Sequence, residues 1–366
     1  MKHRFLSAVV LAGAAACSTS RFAAAVDAAP PAAAAKPPVV PAAVGDRAGV
    51  KKYLVEVLDS VQKATGDLKV AGTEYADLVA KAGGTPAAAA KADPQRVADL
   101  VRRMRDAYQR IDSYGYEYVE GIVAGVPALM KYDVELDSGV PAAKSTIQDQ
   151  VPPIVIHAGP LTIDKEGSLN NYLIEPTVFG TNPRFTSGQA VLPGLGDKPV
   201  GLPNPQLVVA LADYAIGGYG RLRKDADAWQ PTDADCFHIM ANMTPTLADY
   251  FEEWKESKKF GSAAGGRFVA VSRVSDMRGI MTSTQLAWQA VRTGVRAKDA
   301  PLADSVSLGY AQVLKFIDTV DAREQKKPLN VETIDALGTQ AKERADKLTV
   351  QAGQAAALVG VNVDAK

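Results

Sequence analysis

The stretch DPQRVADLVRRMRDAYQRIDSYGYEYVEGIVAGVP, residues 93–127, decides how the whole chain is read. Asp93 followed by Pro94 has the chemistry of a helix start: a carboxylate that can accept from free N–H groups, then a residue whose missing N–H is no loss there. Behind that start Val97, Leu100, Val101, Met104, Tyr108, Ile111, Tyr118 and Ile122 recur mostly every three or four positions. This is the apolar stripe of a helix, and it carries to Val126, where Pro127 disturbs it.

The same spacing extends outward. Val50, Tyr53, Leu54, Val57, Leu58 and Val61 predict a helix over 50–82, broken by GGTPAAAAKADP. Asn204 and Pro205 open another, and helical spacing continues through 232–259, 265–295, 300–327 and 330–360, the last with Asn330 as cap. Residues 132–204 differ: VPPIVIHAGP, FGTNPRF and LPGLGDKPVGLPNP hold prolines and glycines without a sustained period, which predicts irregular loops with a short strand at IVIHA. The expected fold is all-α, about seven helices in two packed bundles around a long irregular insertion. Its parts are an N-terminal bundle portion (46–131), the loop region (132–204) and a C-terminal bundle (205–366).

The chain has 366 residues, enough for a sizeable core, and its 41 basic side chains balance 41 acidic ones. No long-range field therefore favours nucleic acid or an acidic membrane surface. MKHRFLSAVVLAGAAAC, residues 1–17, joins a basic start to an apolar run too short for a permanent span, as in an export signal. Cys17 sits as in a lipobox, with Ala14 where that box usually has Leu, so lipidation and plain cleavage remain alternatives. Residues 18–45, rich in Ala and Pro, read as an extended tether. Without Cys17 only Cys236 remains, which excludes an internal disulfide. The expected location is periplasmic or cell-surface, with membrane contact only through a lipid on Cys17.

Glu117 and Glu120, three apart on a helix, lie on one side and are close enough to chelate one cation. They fall roughly 150° from the stripe, so one reading is a solvated face shared with Arg102, Asp106 and Ser113. Beyond Ser113, however, the helix is apolar nearly all round, and Gly115, Gly121 and Gly125 each weaken it by about 1 kcal/mol unless close packing offsets that. Buried carboxylates require a cation or an arginine nearby. In YDVELDSG, residues 132–139, Asp133 and Asp137 are further oxygen donors. An EF-hand does not fit, because Ser138 precedes Gly139 at the turn and Lys144 stands where a bidentate Glu is needed. Arg273 and Asp276, three apart, form either an intrahelical ion pair or a contact between bundles, and Asp276 is the best acidic candidate of the C-terminal half. The expected metal ligands are Glu117, Glu120 and Asp133, supported by Tyr116, Asp137, Arg273 and Asp276. Hard oxygens with a phenol nearby favour Fe(III), with another divalent cation as the alternative.

Catalytic patterns are missing: there is no HExxH, GxSxG or GxxxxGK, and Cys236 and His238 fall on different helix faces. No enzyme activity is expected.

GYEYVEGIVAG resembles the metal-site helix of the imelysin-like, EfeO-type periplasmic proteins, whose signature is Gly-x-His-x-x-Glu. Gly115 and Glu120 match, and Glu117 replaces the His. FVAVSRVSDMRGIMTSTQLAWQAV and LADYFEEWKESKKF look like later helices of the same family. The resemblance implies two related helical bundles with a site in the cleft between them, and a role in bacterial iron uptake alongside a membrane iron permease or other uptake components. A related theme is that of the low-iron-inducible periplasmic proteins of algae. The exchange of His for Glu favours Fe(III) and removes the best reason to expect peptidase activity. The rival readings are an exported peptidase-like hydrolase and a surface module that binds protein or glycan through the 132–204 loops without metal.

Overall fold

A computed structural model describes residues 46–137, 154–164, 168–257 and 273–363. The export signal, Cys17, the Ala/Pro-rich segment, the EF-hand-like positions 138–144 and the start of the helix expected from 265 lie outside these residues.

The protein is mostly helical. Helix α1 (Arg47–Lys81) is capped by Asp46, α2 (Pro86–Ala92) by Thr85, and α3 (Pro94–Ile111) by Asp93, whose carboxylate accepts from Arg96 N at 3.0 Å. After a wide turn at Asp112–Tyr116 come α4 (Glu117–Gly125) and α5 (Met130–Leu136). The middle of the chain holds two antiparallel hairpins. Strand β1 (Val155–Ala158), within IVIHA, pairs with β2 (Leu161–Asp164), and β3 (Thr186–Ala190) pairs irregularly with β4 (Val200–Pro203). Between the hairpins a second wide turn, Leu169–Ile174, leads into the short α6 (Glu175–Val178). Six helices follow: α7 (Pro205–Ala228), α8 (Asp233–Met243), α9 (Leu247–Lys255), α10 (Val274–Arg296) and then α11 (Ala300–Lys326), with α12 (Val331–Val359) last.

Twelve helical segments are thus present among the described residues in place of about seven. The helix expected over 94–126 is divided by the wide turn, and the one over 232–259 is divided where Pro245 can neither donate an N–H nor fit beside the preceding turn. Part of the stretch expected to be irregular, 132–136, continues α5.

Helix α1 packs along α3 and α7, while α10 packs on α4, α8 and α11, and α12 on α9, α8 and α11. The two sets share one connected core running from Val50 to Ala356, so the packing does not separate into two independent bundles. Helix α4 is inserted where the sets meet. A Cβ on Gly279 of α10 would stand 2.7 Å from the carbonyl oxygen of Glu117, and one on Gly125 would stand 2.7 Å from Ile239 Cα of α8. Ser283 fixes the crossing by donating to Tyr118 O. No helix among the described residues is long and apolar enough to cross a membrane.

Candidate metal centre

The wide turn between α3 and α4 places the first acid. Glu117 N–H bonds the carbonyl of Asp112, five residues back, where an ordinary helix would use a residue four back. On a regular helix residues five apart diverge by roughly 140°. With more residues per turn, Asp112 is brought round to the side of Glu117. Gly115 permits this backbone path, because a Cβ there would lie 2.3 Å from Arg110 O and 2.7 Å from Val61 Cγ2 of α1. The second wide turn faces the first: Glu175 N–H bonds Asn170 O, and Asn170 and Asn171 are directed at the acids.

Asp112, Glu117 and Asp137 each offer one carboxylate oxygen, and the three atoms lie within 4.8 Å of one another. All three residues are buried. Asp112 accepts from Tyr108 Oη at 2.9 Å and from Asn170 Nδ2 at 3.1 Å. Asp137 accepts from Asn171 Nδ2 at 3.0 Å and from Asn170 Nδ2 at 3.3 Å, and Tyr219 Oη holds Asn170 from α7. Glu117 is held less firmly. Tyr250 Oη of α9 reaches its Oε2 at 3.3 Å but lies 2.7 Å from Glu120 Oε2, and one hydroxyl proton serves only one of them. Glu117 Oε1 is buried without a hydrogen bond, and Arg273 stands 3.5 Å from it.

Arg273 also contacts Asp276 at 2.9 Å and Glu253 at 3.3 Å. It is the cation that meets this cluster among the described residues, against six carboxyls: Asp112, Glu117, Glu120, Asp133, Asp137 and Asp276. The imbalance shows in their protonation. Burial raises the pKa of Asp112, with the charge of Arg273 opposing it. Burial, with Asp276 and Glu120 adding repulsion, pushes Glu117 well above the usual carboxylate range. Burial and then Asp112 do the same to Asp137, and burial and then Glu120 do so to Asp133. Asp276 is pushed up to about 7 by burial, despite Arg273. Burial works against charge on Arg273, yet Asp276, Glu117 and Glu253 together keep it firmly protonated.

Of the ligands expected from the sequence, Glu117 belongs to the close triad, whereas Glu117, Glu120 and Asp133 do not form such a set. Glu120 is half-buried beside Glu117, sharing Tyr250 with it, and Asp133 is half-buried and receives Tyr116 Oη at 3.3 Å. Asp133 lies in α5 and Asp137 directly follows its last residue, donating its backbone N–H to Asp133 O at 2.9 Å, and Glu135 turns away to Arg221 and Tyr214. Arg273 and Asp276 form an ion pair at the start of α10 that also reaches Glu117. Sequence reading missed Asp112, Asn170, Asn171 and Tyr250. For Asp112 there was a signal, the Asp-Ser-Tyr-Gly run in the middle of a helical stripe.

Among the described residues the acidic donors are all carboxylate oxygens, with neighbouring phenols and amides and no nitrogen or sulfur ligand in the set, which suits Fe(III), Mn²⁺, Ca²⁺ or Mg²⁺ and disfavours softer ions. A buried carboxylate oxygen that accepts no hydrogen bond is costly in a protein without a cation near it. Comparison of the chain with models of known protein families and with curated proteins finds no match in either.

Proposed function

We propose that this protein captures a hard metal cation, Fe(III) foremost, as cargo. Asp112, Glu117 and Asp137 would grip the ion, and Glu120 and Asp133, nearer the solvent, would receive it first. The observation that carries this reading is the meeting of three carboxylate oxygens within 4.8 Å, one residue of which has a buried oxygen without a hydrogen bond. A cation there would offset the burial that raises the pKa of these carboxyls and the repulsion from neighbouring acids that adds to it at Glu117, Asp133 and Asp137. The resemblance to imelysin-like, EfeO-type proteins supports the rest: an exported chain, lipid-anchored or cleaved at Cys17, that hands iron to a membrane permease and has no catalytic role. In that reading the groups α1–α3–α7 and α8–α12 are the two related bundles and the acids lie where they meet.

The test is titration of the metal-stripped protein with Fe(III) supplied as its citrate complex. The combined Asp112→Asn, Glu117→Gln and Asp137→Asn substitutions should abolish binding, while Glu120→Gln with Asp133→Asn should slow uptake more than it weakens the final complex. A triple variant that binds like the parent would remove the site assignment.

A further inference from the structure

Arg273 holds the cluster's acids unequally. It precedes α10, is 3 % exposed, and so is almost unscreened by water. Its Nε lies 2.9 Å from Asp276, three residues on in the same helix, whereas its contact with Glu117 is longer, 3.5 Å; neither of the two carboxylate oxygens accepts a hydrogen bond, so both contacts are held by charge alone. Its guanidinium also lies 5.2 Å from the centre of the Tyr250 ring and 3.3 Å from Glu253. The arginine is thus anchored on Asp276, has alternative seats on Tyr250 and Glu253, and touches Glu117 loosely. Asp137, by contrast, is held by neutral amides.

We propose that Arg273 is a built-in competitor for the cation: it covers the charge of Glu117 while the centre is free, and withdraws toward Glu253 and the Tyr250 ring when a metal ion takes that oxygen. Binding therefore exchanges one positive charge for another at Glu117, and release is helped by the returning guanidinium. This regulates the site proposed above and rests on that reading. Two positive charges within a few ångströms in a buried site repel strongly, so the arginine sets affinity below what the acids alone would give.

The experiment uses the full metal-stripped protein and Tb(III), a hard trivalent probe whose emission is sensitised by nearby tyrosines. Arg273→Gln should bind Tb(III) at least about tenfold tighter and release it more slowly to excess chelator. Arg273→Lys keeps the charge but cannot bridge Asp276 and Glu117 together; it should remain on Asp276 and tighten binding about threefold. This second variant decides the matter if the first does not fold. Unchanged or weaker binding in the folded variants, with the parent binding normally, would overturn the competitor role alone. Absence of binding in parent and variants alike would overturn the cation site itself, and the competitor role with it.

Discussion

Glu117 is held by its backbone before it is held by its side chain. Gly279 lies against its carbonyl so closely that an added methyl group would meet backbone atoms at 2.7 Å, which cannot rotate away. Gly279→Ala should therefore push α4 off α10, costing about 1–3 kcal/mol by overpacking and weakening cation binding further than that loss of stability explains. Denaturant unfolding and metal titration of the same variant check this, and unchanged binding would show that the contact does not place the ligand. The raised carboxyl pKa values set a second expectation. A carboxyl that keeps its proton longer in the folded state contributes stability that is full below the ordinary carboxylate range and is lost as pH rises through the folded value. For Asp276 the window runs from about 4 to about 7, and for Glu117, Asp133 and Asp137 it extends upward from the same lower limit. The cation-free protein should be more stable at pH 5 than at pH 7.5, with a slope of about 1.4 kcal/mol per pH unit for each titrating carboxyl. Saturating cation should narrow that difference, and stability that rises over the same interval would contradict the protonation pattern.

Among the elements, the wide turn at Asp112–Tyr116 matters most, since it converts a spacing of five into a shared face. Gly115→Ala would place a methyl group 2.3 Å from Arg110 O. The turn should then relax toward an ordinary helix, rotating Asp112 away from Glu117. The expected result is cation affinity lowered at least about tenfold with helical content preserved, since one of three charged ligands is lost; circular dichroism and titration together test it. The same turn explains why part of the centre was hidden in the sequence. The stripe from Val97 to Ile122 made the helices legible, and the crowding of apolar residues around Glu117 made its burial legible. Asp112 was hidden because a period of 3.6 assigns it to another face. Asn170 and Asn171 were hidden because their segment has no period, and Tyr250 because its spacing suits a core position equally well. Among the described residues of 132–204 there is no long helix, in keeping with the prolines and glycines, but those residues carry no information about which distant acids the turns approach.

Across the whole molecule, one connected core links the α1–α3–α7 group to α8–α12. The described part should accordingly unfold in one cooperative step. Trp229 at the end of α7, Trp254 in α9 and Trp288 in α10 give a fluorescence signal from buried sites that can be set against far-ultraviolet circular dichroism, and transitions that do not coincide would show that the two groups melt separately. The centre draws its residues from both groups, with Asp112 and Asp137 in one region of the chain, Asn170 in another, and Tyr250 and Arg273 much later. No short peptide of this chain contains the chelate. An extended polypeptide passing through the cell would present its acids singly, with the weak and unselective affinity of isolated carboxylates. On the proposed function, the ion that first fills the centre would therefore be drawn from the compartment in which the chain completes its fold, whichever ions it met on the way there.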